Sequence, residues 1–234
     1  MKNTVTVIGG AGFIGSHVAD RLSKEGNHVK IFDIRKSPYL KPNQEMIIGD
    51  ILDEKMISSA ISGSKYVYNF AGIAEIKEAK ESPLRALEYN IMGAAKSIDI
   101  SVKEGVDKYI FASSLYVYSD KGGFYRASKL SAESIIETYS EAYDIKYTLL
   151  RFGTLYGPRA QAWNSLNKYV YEAINEGEIN YTGNGNEIRE YIHVKDAVDA
   201  CIQILKKKYK NKYLTITGRR LIKVKSLMKI LAKH

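Results

Sequence analysis

Tyr125 and Lys129 stand four residues apart in FYRASKL, and Ser113 and Ser114 close the apolar run KYIFA shortly before them. On a helix, side chains at i and i+4 share one face, so an ammonium would sit beside a phenol. A free phenol ionises near pH ~10, too high for a base at neutral pH. The ammonium and the helix N-terminus both favour the phenolate and are expected to lower that value. Such a tyrosine can take a proton from an alcohol or return one. A serine hydroxyl at the strand end can hold the alcohol oxygen as charge develops. Spacing alone decides little, because Tyr191 and Lys195 in YIHVK share it. That second pair lies in a strand-like run, where four residues span ~13 Å and the side chains cannot cooperate.

Gly9, Gly12 and Gly15 form a second group in VTVIGGAGFIGSH, and Asp33 ends the next apolar run, VKIFD. The order reads as a strand, a glycine turn and a helix whose N-terminus points backbone N–H groups at a dinucleotide pyrophosphate. Gly9 permits the turn, Gly12 lets phosphates approach the backbone, and Gly15 lets helix and strand pack closely. Asp33 follows Gly15 by 18 positions, near the ~20 expected for a carboxylate that accepts from a ribose 2′-hydroxyl. A 2′-phosphate would be repelled there, which favours NAD over NADP, with Arg35 pulling the other way.

These residues need a scaffold that gathers loops at one end, and the pattern supplies it. VTVI, VKIF, MIIG, YVYNF, KYIFA and KYTLLRF read as short buried strands. FIGSHVADRLSKEG, ILDEKMISSAI, PLRALEYNIMGAAKSIDISVKEG and YRASKLSAESIIETYSEAY alternate with them at helical spacing. Such alternation predicts an α/β fold, a Rossmann-type doubly wound parallel sheet with helices on both faces and ligands beyond the strands' carboxyl ends. After Arg151 the pattern loosens. GTLYGPRAQAWN reads as loop, SLNKYVYEAINEG as helix, and INYTGNGNEIREYIHV as short strands around a glycine-rich turn. DAVDACIQILKK and VKSLMKILAKH read as helices, and KYLTITG as a strand between them. Residues 1–151 are thus expected to form the dinucleotide-binding domain. Residues 152–234 would be a small, partly discontinuous substrate-side region, interleaved with the last core elements.

The chain has 234 residues, 45% of them apolar, and a formal net charge of +9. That is one large domain, or one with a small appendage. Its basic balance suits anionic partners: nucleotides, sugar nucleotides, nucleic acid or an acidic membrane surface. The cluster Lys206, Lys207, Lys208, Lys210 and Lys212 reads as a solvated helix end. Cys201, the single cysteine, excludes an internal disulfide, fits a reducing cytoplasmic location and is expected to pack in a helix. His17, His28, His193 and His234 show no metal-ligand spacing, so no metal is expected. No segment approaches the ~18 continuous apolar residues of a membrane span. The apolar N-terminus is the strand and glycine turn rather than a signal peptide.

GGAGFIGS, the Asp50–Ile51 pair in GDI, NFAG at 69–72, ASSLYVY, YRASK, LRFGTLYGPR and REYIHVKDAVDA occur in this order. Together they resemble the extended short-chain dehydrogenase/reductases, specifically the NAD-dependent epimerase/dehydratase group that acts on nucleotide sugars. The resemblance covers almost the whole chain. It implies NAD contacts from Gly9, Gly12, Phe13, Ile14, Gly15, Asp33, Asp50, Ile51, Ala71, Gly72, Phe152, Tyr125 and Lys129. It implies catalysis by Ser114, Tyr125 and Lys129, with Ser114, Thr154 and Arg189 meeting the substrate. Trp163 lies in the loop after GPR, where relatives meet the sugar nucleotide.

The chain also departs from that pattern. Where the dehydratases of the group place an Asp-Glu pair, this chain has Leu115 and Tyr116, which argues against sugar dehydration. Tyr125 follows Ser114 by only eleven positions, and Thr154 replaces a frequent Asn. The chain ends one helix after KYLTITG, earlier than most relatives, so the part that closes over the nucleotide is expected to be missing. The expected activity is C4 epimerisation of a UDP-hexose through a 4-keto sugar, resembling a UDP-glucose 4-epimerase. A sugar-nucleotide reductase or dehydrogenase is the nearest alternative. A non-catalytic NAD-binding protein with a basic RNA- or partner-binding surface is the alternative of another class. A homodimer built on helices 83–104 and 125–143 is expected, and nucleic-acid or membrane partners are not.

Overall fold

The computed structural model describes residues 2–233. Seven strands form the main sheet: β1 (Thr4–Ile8), β2 (His28–Asp33), β3 (Gln44–Ile48), β4 (Tyr66–Asn69), β5 (Lys108–Ser114), β6 (Lys146–Phe152) and β9 (Lys212–Ile216). Their spatial order is β3-β2-β1-β4-β5-β6-β9, and every pairing is parallel. Strands covered on both faces must be apolar almost throughout, which is why they were readable as continuous runs. Val5, Val7 and Ile8 are wholly buried in β1. The strand order reverses between β1 and β4, the position at which an open parallel sheet leaves a crevice for a ligand.

Two apolar layers cover the sheet. On one face α1 (Phe13–Lys24) and α8 (Val194–Gln203) pack Val18, Leu22, Val198 and Cys201 against Val5, Val7 and Val29. The Tyr68 hydroxyl donates to the Cys201 carbonyl at 2.7 Å and pins α8 to β4. Cys201 is fully buried, as expected. On the other face α2 (Glu54–Ile61), α5 (Gly93–Lys103) and α6 (Gly123–Tyr143) bury Ile57, Ile61, Ile98 and Ile136 against Ile8, Phe32 and Tyr109.

A smaller sheet joins β7 (Thr154–Tyr156), β8 (Ile188–His193) and β10 (Leu221–Lys223) in the order β10-β8-β7. Here the structure corrects the sequence reading. The segment GTLYGPRAQAWN opens with a strand, and INYTGNGNEIREYIHV contains one strand rather than several. Residues 83–103 are not a single α-helix. They run from α4 (Pro83–Leu87) through a π-turn at Glu88–Met92 into α5. A short helix, α3 (Ile76–Glu81), precedes them; α7 (Ser165–Asn175) lies between β7 and β8 in sequence, and α9 (Val224–Leu231) follows β10. Helix α8 stops at Gln203, so the lysines at 206–212 follow the helix instead of occupying its last turn. The cation that meets its end is the buried Lys108, whose Nζ donates to the carbonyls of Ile204 and Tyr209. His234 lies outside the described residues. Among the described residues, no helix is long and apolar enough to cross a membrane.

Candidate active site

The glycine turn after β1 is built by close contacts. Gly9 has φ +75°, and a β-carbon there would lie 2.6 Å from the Ala71 amide nitrogen. A β-carbon on Gly15 would lie 2.3 Å from the Gly9 carbonyl oxygen. Only glycine lets α1 start this near the sheet. No side chain caps α1, and its first helical bond runs from Ser16 N–H to the Gly12 carbonyl. The amides of Phe13, Ile14 and Gly15 are therefore left at the helix's positive end, a geometry suited to a pyrophosphate.

Asp33, at the end of β2, accepts from the Ala11 amide at 3.0 Å and the Arg35 amide at 3.4 Å. Burial raises its pKa above the ordinary carboxylate value, against the pull of those amides. The Asp50 carboxylate accepts from the Tyr89 hydroxyl at 2.8 Å and the Leu52 amide at 2.9 Å, and Ile51 is buried beneath Gly93. Ala71 donates to the buried Asn69 side chain at 3.0 Å, while Gly72 lies against the Asn90 side chain. The turns after β1, β2, β3 and β4 thus open at one end of the sheet, and they or the start of α1 carry the residues expected to hold a dinucleotide, apart from Phe152 on β6 and Tyr125 and Lys129 on α6.

The reactive trio meets one strand further along. Ser114 is the last residue of β5, beside Phe152 on β6. Its hydroxyl accepts from the Tyr116 amide at 3.3 Å. Tyr125 and Lys129 project from the first turns of α6, and both are buried. The Lys129 ammonium donates to the Ala112 carbonyl at 2.9 Å and sits 4.7 Å from the Phe111 ring centre and 5.9 Å from that of Tyr125. Tyr191 and Lys195 do not share one strand as the sequence suggested: Tyr191 is on β8 and Lys195 in the first turn of α8, and the pair still has no shared helical face.

One electrostatic expectation is overturned. The Tyr125 pKa is raised above the ordinary phenol value, because burial penalises the phenolate more than the adjacent Ser114 hydroxyl favours it. Burial also pushes Lys129 down to about 8, with Glu133 opposing. The sequence showed which groups are neighbours but not how little water reaches them.

Asn90 was missed. It lies in the π-turn, 1% exposed, and its side chain accepts from the Ile73 amide at 2.7 Å and donates to the Ile73 carbonyl at 3.0 Å and the Ser128 hydroxyl at 2.9 Å. Ser128 donates in turn to the Tyr125 carbonyl at 2.8 Å. The π-turn therefore fastens the loop after β4 to the helix carrying the tyrosine, a use typical of such insertions. An Asn within the apolar pattern LEYNIMGAAK was the available signal.

The substrate-side residues are less gathered. Thr154 is half-buried on β7, paired with Tyr191. Arg189 is exposed on β8, where its guanidinium donates to the Ile188 carbonyl. Trp163 is 44% exposed in the loop before α7. The open hollow of about 520 Å³ between α1 and α8, lined by Arg21, Asp199 and Lys206, is unrelated to the trio. Among the described residues, no three His, Cys, Asp or Glu side chains converge as a metal site.

The model of the NAD dependent epimerase/dehydratase family matches residues 5–216, which include all the elements that carry the trio and the glycine turn. The chain belongs to this family. It is 30% identical to the UDP-N-acetyl-alpha-D-glucosaminuronate decarboxylase of Bacillus cytotoxicus, over 92% of this chain and 75% of that protein. It is 28% identical to a UDP-glucose 4-epimerase of Lactobacillus helveticus, over 86% of this chain and 72% of the relative. The solved UDP-glucose 4-epimerase of Thermotoga maritima, determined with UDP-glucose, superposes with a TM-score of 0.92 at 29% identity, covering 98% of this chain and 82% of that one. The family's cofactor is NAD, and the glycine turn, the uncapped α1 and Asp33 are chemically suited to it.

Proposed function

We propose that this chain is an NAD-dependent nucleotide-sugar epimerase that inverts C4 of a UDP-hexose through a transient 4-keto sugar. The observation that carries the reading is Ser114 at the end of β5 with Tyr125 and Lys129 buried at the start of α6, and Leu115 and Tyr116 following the serine. Neither Leu115 nor Tyr116 has a carboxyl group, so the acid and base that a dehydration needs are absent from that segment.

In this reading Gly9, Gly12, Phe13, Ile14 and Gly15 hold the pyrophosphate, and Asp33 the ribose. Asp50 and Ile51 meet the adenine, and Ala71, Gly72, Phe152 and Lys129 line the nicotinamide end. Bound there, NAD supplies a reversible hydride acceptor. Tyr125 takes the proton of the C4 hydroxyl and returns it to the keto oxygen once the sugar has turned its other face. Ser114 holds that oxygen, Lys129 supports the phenolate, and Thr154 and Arg189 contact the sugar nucleotide. Residues 1–151 form most of the cofactor half, and residues 152–234 the substrate side interleaved with α8 and β9 of the core. Leu84, Met92 and Tyr143, exposed on the helices at 83–103 and 123–143, supply the apolar face of the homodimer.

The test is to incubate the protein with UDP-glucose or UDP-galactose, with and without NAD, and follow the sugars by NMR. Interconversion without net NADH is expected. Net NADH turnover would favour a one-way reductase instead. Tyr125→Phe should lose about 10²–10⁴-fold in turnover, the contribution of a positioned general acid–base. Retention of most turnover in that variant overturns the assignment.

A further inference from the structure

The loop after β7 rests on α1, the helix with the uncapped N-terminus, through contacts that nothing in the reaction requires. The Pro158 carbonyl lies 2.9 Å from His17 Nε2. Arg159 donates from Nη2 to Asp20 Oδ2 at 2.8 Å, and its guanidinium carbon sits 4.1 Å from the centre of the Tyr39 ring. Tyr39 belongs to the loop that follows Asp33, where its amide donates to the Ser37 hydroxyl at 3.2 Å. Asp20 Oδ1 also accepts from Gln44 at 3.3 Å, so both oxygens of the carboxylate are engaged.

Arg159 has φ +68°. A side chain other than glycine keeps that conformation only where its surroundings hold it. Here the holding groups are Asp20 and Tyr39, and the arginine side chain is only 17% exposed. Among the described residues its Nη1 has no hydrogen-bond partner, and the ion pair through Nη2 and the stacking contact anchor the residue. Beyond it, Asn164 caps α7 and donates to the Leu155 carbonyl at 2.9 Å, which closes the loop. A single side chain therefore fastens the segment leading to α7 onto both α1 and the loop after β2.

We propose that Arg159 is a positioning residue: the Asp20–Arg159–Tyr39 clamp couples nucleotide binding on the substrate side to dinucleotide binding at α1. The proposal rests on the epimerase reading for the identity of the two ligands. A dinucleotide seated on α1 and on Asp33 orders both elements that grip the arginine. The loop is then already in place when the nucleotide sugar arrives. Reciprocity requires the nucleotide sugar to tighten dinucleotide binding by the same factor.

The experiment is calorimetric titration of UDP into the full chain, with and without saturating NAD, for wild type, Arg159→Ala, Arg159→Lys and Asp20→Asn. In the wild type NAD should tighten UDP about tenfold, an ordinary coupling. Arg159→Ala should cut that factor to about twofold or less, yet leave the affinity for NAD alone within about threefold, a tenfold change being 1.4 kcal/mol. Arg159→Lys keeps the ion pair but not the planar stacking, so it should fall between. Asp20→Asn should lose most of the coupling, and it serves if the alanine variant does not fold. A general structural defect would weaken both ligands and leave their ratio unchanged. Undiminished coupling in folded Arg159→Ala, or a wild type that binds both ligands independently, overturns the clamp and leaves the epimerase reading standing. A wild type that binds neither NAD nor UDP overturns both.

Discussion

Gly15→Ala is the smallest change that tests how α1 meets its ligand. The added β-carbon would lie 2.3 Å from the Gly9 carbonyl oxygen, 2.9 Å from Gly10 Cα and 3.0 Å from Gly9 C, all of them backbone. An ordinary contact needs about 3.5 Å, so roughly an ångström must be found by parting the helix from the turn. No side chain can rotate away to supply it. Alanine's better helix propensity returns up to about 1 kcal/mol. Overpacking against a rigid neighbour costs about 1–3 kcal/mol, so the net effect on stability is a loss of at most about 3 kcal/mol. The larger consequence falls on binding. The amides of Phe13, Ile14 and Gly15 move together with the helix, and each hydrogen bond to a charged pyrophosphate oxygen lost in this way costs about 1.5–3 kcal/mol. NAD titration followed by calorimetry should therefore show affinity reduced by about two orders of magnitude, while the melting midpoint falls by at most about 12 °C at about 2–4 °C per kcal/mol. A variant that binds NAD within about threefold of wild type refutes the reasoning.

Lys108 is 3% exposed, and burial beside Lys210 pushes its pKa down to about 8. The unfolded chain, with an ordinary lysine near ~10.4, then binds the extra proton between those values, so stability contributed by this residue rises as pH climbs from 8 to 10. Melting curves of wild type against Lys108→Met should diverge in favour of wild type over that range, by about 3 kcal/mol at most, and a pH-independent gap would contradict the assignment. Glu133 and Arg151 form a two-point ion pair at 3.0 and 2.6 Å, with side-chain exposures of 5% and 15%. Glu133→Gln should cost about 3 kcal/mol, the low end for a broken buried pair, since Arg151 keeps its stacking on Tyr118 and Tyr213. At about 2–4 °C per kcal/mol the melting midpoint should drop about 6–12 °C, and a shift of under about 2 °C would rule that out.

The central strands were legible because burial on both faces leaves an apolar run that few other structures produce. The elements that were missed lack such a signature. Thr154–Tyr156 is three residues long and becomes a strand only because Tyr191–His193, far along the chain, lies beside it. IKEAKE, the sequence of α3, has one buried residue, Ala79, and no stripe of apolar positions to reveal a helix. The π-turn at Glu88–Met92 adds one residue to a turn without disturbing the apolar pattern on either side, so periodicity does not register it. The trio and the glycine turn were readable as chemistry because their residue types and spacing are restrictive. Asn90 and Arg159 were not, because their roles arise from contacts with Ile73 and Ser128, and with Asp20 and Tyr39, that only the folded chain brings about.

The corrected pKa of Tyr125 carries its own prediction. Dehydration of the site moves both partners toward their neutral forms, Tyr125 upward and Lys129 down to about 8. Near neutral pH the unliganded chain therefore holds a phenol and an ammonium, and it has no base ready to attack an alcohol. A further unit of positive charge about 5 Å from the phenolate, at an effective dielectric of 20, contributes about 3 kcal/mol, or about two pK units. Any ligand that brings such a charge converts the tyrosine from a resting acid into a usable base. Base strength is then conditional on occupancy. Ultraviolet difference titration of wild type against Tyr125→Phe reads this directly. Without NAD, the Tyr125 phenolate should appear only above pH ~10, the ordinary phenol value. With NAD, it should appear at clearly lower pH. A Tyr125 phenolate already present at neutral pH in the unliganded protein would mean that Lys129 and the helix N-terminus outweigh burial after all.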